Sequence, residues 1–149
     1  VDALSRRVLV ACVGPITAGP LAAVGIPTVQ PRRARIGALA REVADTLVAR
    51  SPRLAAAGRR IELRGQAALV DGELREVAPA PMAVLRALAQ RPGHVVSRRE
   101  LTAALPGGGE EHAVETAVGR LRTSLGEGKL VQTVVKRGYR LAVAVEDES

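Results

Sequence analysis

Aromatic residues are almost missing from this chain: Tyr139 stands alone, with no Phe and no Trp among 149 residues. Any core must therefore be packed by Ala, Val, Leu and Ile. Cysteine is nearly absent too. Cys12 is the only one, which excludes an intramolecular disulfide and suits a reducing, cytoplasmic setting. No stretch reaches the roughly 18 apolar residues of a membrane span. Residues 8–29 are apolar, but Gly14, Pro15, Gly19, Pro20, Gly25 and Pro27 divide them. The same stretch lacks the basic start, clean apolar centre and polar exit of a signal peptide. No membrane partner is expected.

Catalytic signatures are equally scarce. Cys12, His94 and His112 are isolated in sequence and lack metal-ligand spacing. Gly107–Gly109 has no following Gly-Lys-Ser/Thr, and Gly128-Lys129 runs into Leu130, so no phosphate-binding loop is present. Asp2, Asp45 and Asp71 are scattered, with no Ser/His/Asp grouping. The expectation is a chain that is not an enzyme and takes no metal or cofactor.

What the chain has is arginine. The formal charge is +7, and Lys occurs only at Lys129 and Lys136. Arg forms bidentate bonds to phosphate and to guanine edges, which suits nucleic acid. A GC-rich genome would also inflate Arg, Ala, Gly and Pro, so the placement of the arginines carries more weight than their number. The length allows one domain or one and a half. The chain starts with Val1 in place of Met, as a piece of a longer protein would.

The two halves differ in texture. Residues 7–13 read as a buried strand, 14–17 as a turn, 17–24 as a helix ended by Gly25, and 26–30 as a second strand. Ile36, Leu39, Ala40, Val43 and Leu47 recur at helical spacing, which predicts an amphipathic helix over 35–49. This is a partial α/β unit of order β-α-β-α covering 1–50. Residues 51–59 read as a linker. Short strands are then expected at 60–64, 67–70 and 74–77, with Asp71-Gly72 as the turn between the last two. Helices follow at 80–91, at 98–105 behind a Ser97/Glu100 capping box, and at 110–125 closed by Gly126. A hairpin over 129–135 and 140–145 precedes an acidic tail, 146–149. The fold class is α+β.

In the third helix of the second half, Val114, Val118, Leu121 and Leu125 step by 4, 3 and 4, one apolar stripe. Thr116, Gly119, Arg120 and Thr123 fall on another face, and Arg122 follows the stripe by one residue. Arg120 is the leading candidate for a base or phosphate contact. The alternative is a solvated face with Glu115 nearby. Lys136 and Arg137 beside Gly138 make the hairpin tip cationic, able to reach a minor groove. Tyr139 reads as packing beneath it.

Four pieces of 60–145 resemble the winged-helix effector domain of OmpR/PhoB-type response regulators. They are Val77-Ala-Pro-Ala-Pro-Met-Ala-Val-Leu85, Pro92-Gly-His-Val-Val-Ser-Arg-Arg-Glu-Leu101, Val118-Gly-Arg-Leu-Arg122 with Leu125-Gly126, and Lys136-Arg-Gly-Tyr-Arg140. The resemblance implies double-stranded DNA as the partner. It places His112, Ala113, Thr116, Ala117, Arg120 and Arg122 where such domains meet DNA, with Ser97, Arg98 and Arg99 along the backbone and Lys136, Arg137 and Arg140 in the wing. Two positions depart from the family: Gly119 stands where a basic residue is common, and Val135 where Arg often precedes the turn glycine.

Residues 7–50 resemble the last part of uroporphyrinogen-III synthase through Val10-Ala-Cys-Val-Gly-Pro-Ile-Thr-Ala-Gly-Pro-Leu-Ala-Ala-Val-Gly-Ile26. That resemblance implies a turn, Gly14 to Thr17, that faces a ligand. An ordinary strand-to-helix turn capped by Thr17 explains the residues equally. Too little of the synthase is present for catalysis. Fusions of this kind resemble actinobacterial regulators, some acting in nitrate and nitrite assimilation.

The expected function is sequence-specific DNA binding in transcription regulation, with RNA polymerase or another regulator as further partner and a homodimer on repeated half-sites. Two alternatives stand: a piece of a bifunctional synthase, or a winged helix that mainly docks proteins through the loop at 106–111.

Overall fold

The computed structural model describes residues 8–126 and 129–143. The chain divides into two compact units, Val1–Ser51 and Pro52–Ser149.

In the first unit, β1 (Val10–Ala11) pairs in parallel with β2 (Thr28–Val29), and Val10 lies opposite Thr28. Helix α1 (Pro15–Ala23) connects them, and α2 (Ile36–Arg50) follows. The β-α-β-α order matches the sequence reading, but the first strand is two residues long where 7–13 were expected. Helix α1 starts at Pro15 behind Gly14, not near residue 17, because Pro loses no hydrogen bond in a first turn. Thr17 is therefore an exposed residue inside the helix and not its cap. Cys12, Ala18 and Ile26 are buried, whereas no residue of α2 is, and Ile16 and Ile36 are 92% and 82% exposed.

The second unit opens with an antiparallel meander, β3 (Arg53–Ala56), β4 (Arg59–Arg64), β5 (Ala67–Val70) and β6 (Glu73–Glu76), in that spatial order. The first strand corrects the linker expected at 51–59. Arg53 to Ala56 pair with Glu62 to Arg59, and Ala56 is fully buried. The Asp71-Gly72 turn forms with φ of 52° and 86°. The Asp71 carboxylate accepts from the Arg60 backbone N–H at 2.8 Å and from the Arg59 guanidinium at 2.9 Å. These bonds, the backbone one first, hold its pKa below the ordinary range.

Three helices cover the sheet: α3 (Pro79–Gln90), α4 (Arg98–Ala104) and α5 (Glu111–Leu125). The closing hairpin pairs β7 (Val131–Val134) with β8 (Gly138–Leu141), so its second strand starts two residues before the expected 140. The acidic tail lies outside the described residues. Ile61, Met82, Leu85, Leu88, Leu101, Leu121 and Leu141 share one aliphatic core with a buried Tyr139. Each such side chain stabilises the fold by about 1.5–3 kcal/mol. No helix among the described residues is long and apolar enough to cross a membrane.

Candidate nucleic-acid interface

Helix α5 is oriented by its apolar stripe. Val114, Val118, Leu121 and Leu125 are all buried, and Gly126 ends the helix in the left-handed region at φ 77°. The opposite face follows from the helical period. His112, Thr116, Gly119, Arg120 and Thr123 are exposed along it. Thr116 and Thr123 donate their hydroxyls to the carbonyls of His112 and Gly119, both at 3.2 Å. A Cβ on Gly119 would meet nothing within 4 Å, so the middle of this face is open. Among the described residues, the Arg120 side chain has no hydrogen-bond or ionic partner.

Three expected contact residues sit elsewhere. Ala117 is 3% exposed and belongs to the core. Ala113 is half-buried and packs against that core. Arg122 turns to the hairpin. Its Nε and Nη2 donate to the Val131 carbonyl at 3.0 and 2.8 Å, and Nη2 also donates to Thr133 Oγ1 at 2.9 Å. The residue expected to touch DNA instead fastens α5 to β7. The sequence held a signal for this: position 122 is one turn after buried Val118, on the margin of the stripe.

Helix α4 begins with the expected capping box. The Ser97 hydroxyl accepts from the Glu100 N–H at 3.2 Å, and the Glu100 carboxylate accepts from the Ser97 N–H at 2.9 Å. Arg91 adds a 2.7 Å bond to the other carboxylate oxygen. The Ser97 backbone N–H, then its hydroxyl, then Arg91 hold the Glu100 pKa down to about 2. Arg98 lies over the Tyr139 ring, 5.5 Å from its centroid, and its Nε is 3.9 Å from Glu115 Oε1. Glu115 also lies 3.5 Å from His112 Nδ1. This acidic member of the surface was read from sequence only as a weak neighbour of the arginines.

The wing is tied to the loop before α4. Val96 and Tyr139 exchange two backbone bonds of 2.8 and 3.0 Å, adding a third extended segment to the hairpin. Gly138, at φ 142°, allows that approach, since a Cβ there would stand 2.0 Å from the Val96 carbonyl oxygen. At the tip, Lys136 adopts φ 60°, and Val135, Lys136 and Arg137 are exposed. Arg140 is not part of the tip. It lies on the strand face opposite buried Tyr139 and Leu141 and donates to Gln132 Oε1 at 3.0 Å.

Residues 72–141 match the family described as "Transcriptional regulatory protein, C terminal". The DNA-binding domain of CpxR from E. coli is similar in structure, at 29% identity and a TM-score of 0.53, over 63% of this chain and 99% of that one. The second unit is an OmpR/PhoB-type winged-helix domain. The DNA-binding domain of E. coli CadC is also similar, at 26% identity and a TM-score of 0.51, over 62% of this chain and 92% of that one. The response regulator DrrB of Thermotoga maritima shares the fold at 16% identity and a TM-score of 0.52. That likeness spans 95% of this chain and 70% of the other. No curated protein matches the chain. The winged-helix domain is thus a DNA-binding transcription-regulator domain by type. Among its described residues no group of three or more His, Cys, Asp or Glu is placed to hold a metal.

Proposed function

We propose that this chain binds double-stranded DNA with sequence preference, with α5 in the major groove and Arg120 as its principal reader. The observation that carries this reading is the division of labour on α5. One face is buried in the core, and the other presents Thr116, open Gly119, Thr123 and an Arg120 without a partner among the described residues. An arginine so placed can bond a guanine edge through two N–H groups, worth about 1–3 kcal/mol of discrimination. The small residues around it let the helix backbone come close to the bases. His112, Thr116 and Thr123 complete the surface, and Arg122 contributes by holding the hairpin beside it.

The test is selection from a randomised duplex pool with the full chain. The reading expects a recurrent sequence, bound more weakly as salt rises. Recovery of no recurrent sequence would contradict it.

The exposed loop after α4, residues 106–110, suits a further protein partner such as RNA polymerase. Alanine at Pro106 and Glu110 is expected to leave DNA affinity unchanged, as measured by titration. For the first unit, the parallel β1 and β2 joined through the Gly14 turn agree with the synthase-like reading. A linear tetrapyrrole is the ligand class that would test it.

A further inference from the structure

We propose that the first unit carries a second contact with the same duplex: the arginines of the loop between β2 and α2, set on phosphates that flank the sequence contacted by α5. This rests on the DNA-binding reading above and extends it beyond the winged-helix domain. Arg32, Arg33 and Arg35 follow one another closely, and all three are exposed. Their guanidinium groups have no hydrogen-bond or ionic partner among the described residues. The loop holds no carboxylate. The first one after it, Glu42, stands two helical turns beyond Arg35, about 10 Å along the axis.

These cations do not stabilise their own helix. Arg35 is the N-cap of α2, whose first turn contains no acid. A cation there meets the positive end of the helix dipole, and like charges in one loop repel one another. An external anion relieves both costs. The loop is nevertheless held in shape. The Arg35 N–H donates to the Arg33 carbonyl at 2.7 Å, and Ala34 lies against the Gly14 turn, 3.7 Å from where a Cβ on that glycine would stand. A loop already shaped loses little ordering entropy on contact.

Arginines exposed along one loop suit an extended polyanion better than an enclosed small anion. A duplex carries one negative charge per about 1.7 Å of its axis. The winged-helix domain on the same polypeptide brings that duplex to the loop, which makes the second contact intramolecular. Only Ser51 and Pro52 separate the end of α2 from the start of β3. The loop stands at the other end of α2, about 22 Å along the helix from that junction. This length equals about six base pairs of duplex, a reach that extends to flanking DNA.

The experiment measures the salt dependence of binding by the full chain to two duplexes. One is limited to the selected sequence, and the other adds about ten base pairs on each side, more than the length of α2. The variants are Arg32→Gln/Arg33→Gln/Arg35→Gln, Arg33→Gln alone, and Arg41→Gln/Arg50→Gln as a control on exposed arginines of α2 outside the loop. On the flanked duplex the triple variant is expected to flatten the fall of log K with log salt by about 2.7, at about 0.9 per phosphate contact. On the short duplex it should change nothing. Arg33→Gln should flatten the fall by about 0.9 on the flanked duplex, even if the triple variant fails to fold. The control should match the parent on both.

An unchanged slope on the flanked duplex in both loop variants overturns the proposal. Equal flattening on the short duplex also overturns it, by placing the contact within the selected sequence. Equal flattening by the control would reduce the effect to net charge. Loop variants that keep the slope but lose binding of a linear tetrapyrrole would assign the arginines to a carboxylate ligand instead. If selection returns no preferred sequence, the major-groove reading fails, while short and long scrambled duplexes still decide the arginine loop.

Discussion

Among the described glycines of the winged-helix domain, Gly138 leaves the least room for a side chain. A methyl group there would meet backbone, the Val96 carbonyl oxygen and the Ser97 Cα, neither of which can swing away as a side chain could. Gly138→Ala is expected to destabilise the domain by about 3 kcal/mol or more, through strain at φ 142° and loss of the Val96–Tyr139 bridge. Urea unfolding measures it, and an unchanged midpoint would refute the packing described. Arg122 makes a second residue-scale prediction. Arg122→Met keeps the stem and removes three bonds to β7. Stability should fall by about 1–3 kcal/mol, while the preferred DNA sequence stays the same. A changed sequence preference would return Arg122 to the DNA surface. The residue-scale reading of the site was partly legible. Alternation around Tyr139 and Leu141 already places Arg140 on the other strand face. Ala117 carried less signal, because an alanine fits a core and a groove face equally well.

At the level of elements, caps and stripes were the legible features. The Ser97/Glu100 capping box, the Gly126 stop and the Asp71-Gly72 turn each depend on local chemistry that four residues specify. Strand β3 was not legible. Arg53-Leu-Ala-Ala56 is short and rich in a helix-favouring residue, and it becomes a strand only by pairing with β4. The capping box also predicts a pH dependence. Glu100 has its pKa lowered from 4.5 to about 2 in the folded protein, so its stabilisation is fully present above about 4.5 and is lost as pH falls through about 2. Glu100→Gln should therefore differ from the parent in thermal stability near neutral pH and converge with it toward pH 2 (~2 by the folded value). A difference that stays constant across that range would contradict the assignment.

For the whole molecule, the net charge of +7 is less informative than where the cations stand. Many arginines face carboxylates of the meander, as Arg53 and Arg64 face Glu62. Arg99, Arg120, Lys136 and Arg137 have no such partner among the described residues, and all four lie on α4, α5 and the wing. This distribution, with the family match over 72–141, ties the domain to DNA more firmly than composition does. The first unit carries exposed arginines of its own, Arg32, Arg33 and Arg35, and its exposed Ile16 and Ile36 were not foreseeable from helical spacing, which reports a face and not what covers it. In the proposed reading, α5 contacts base edges through Arg120. The most direct measurement compares wild type and Arg120→Ala against the selected duplex and its single-base-pair variants. Arg120→Ala is expected to remove about 1–3 kcal/mol of discrimination at one base pair and to leave the others as they were. A uniform loss across all duplexes would make Arg120 a phosphate contact, and an unchanged profile would contradict the major-groove reading.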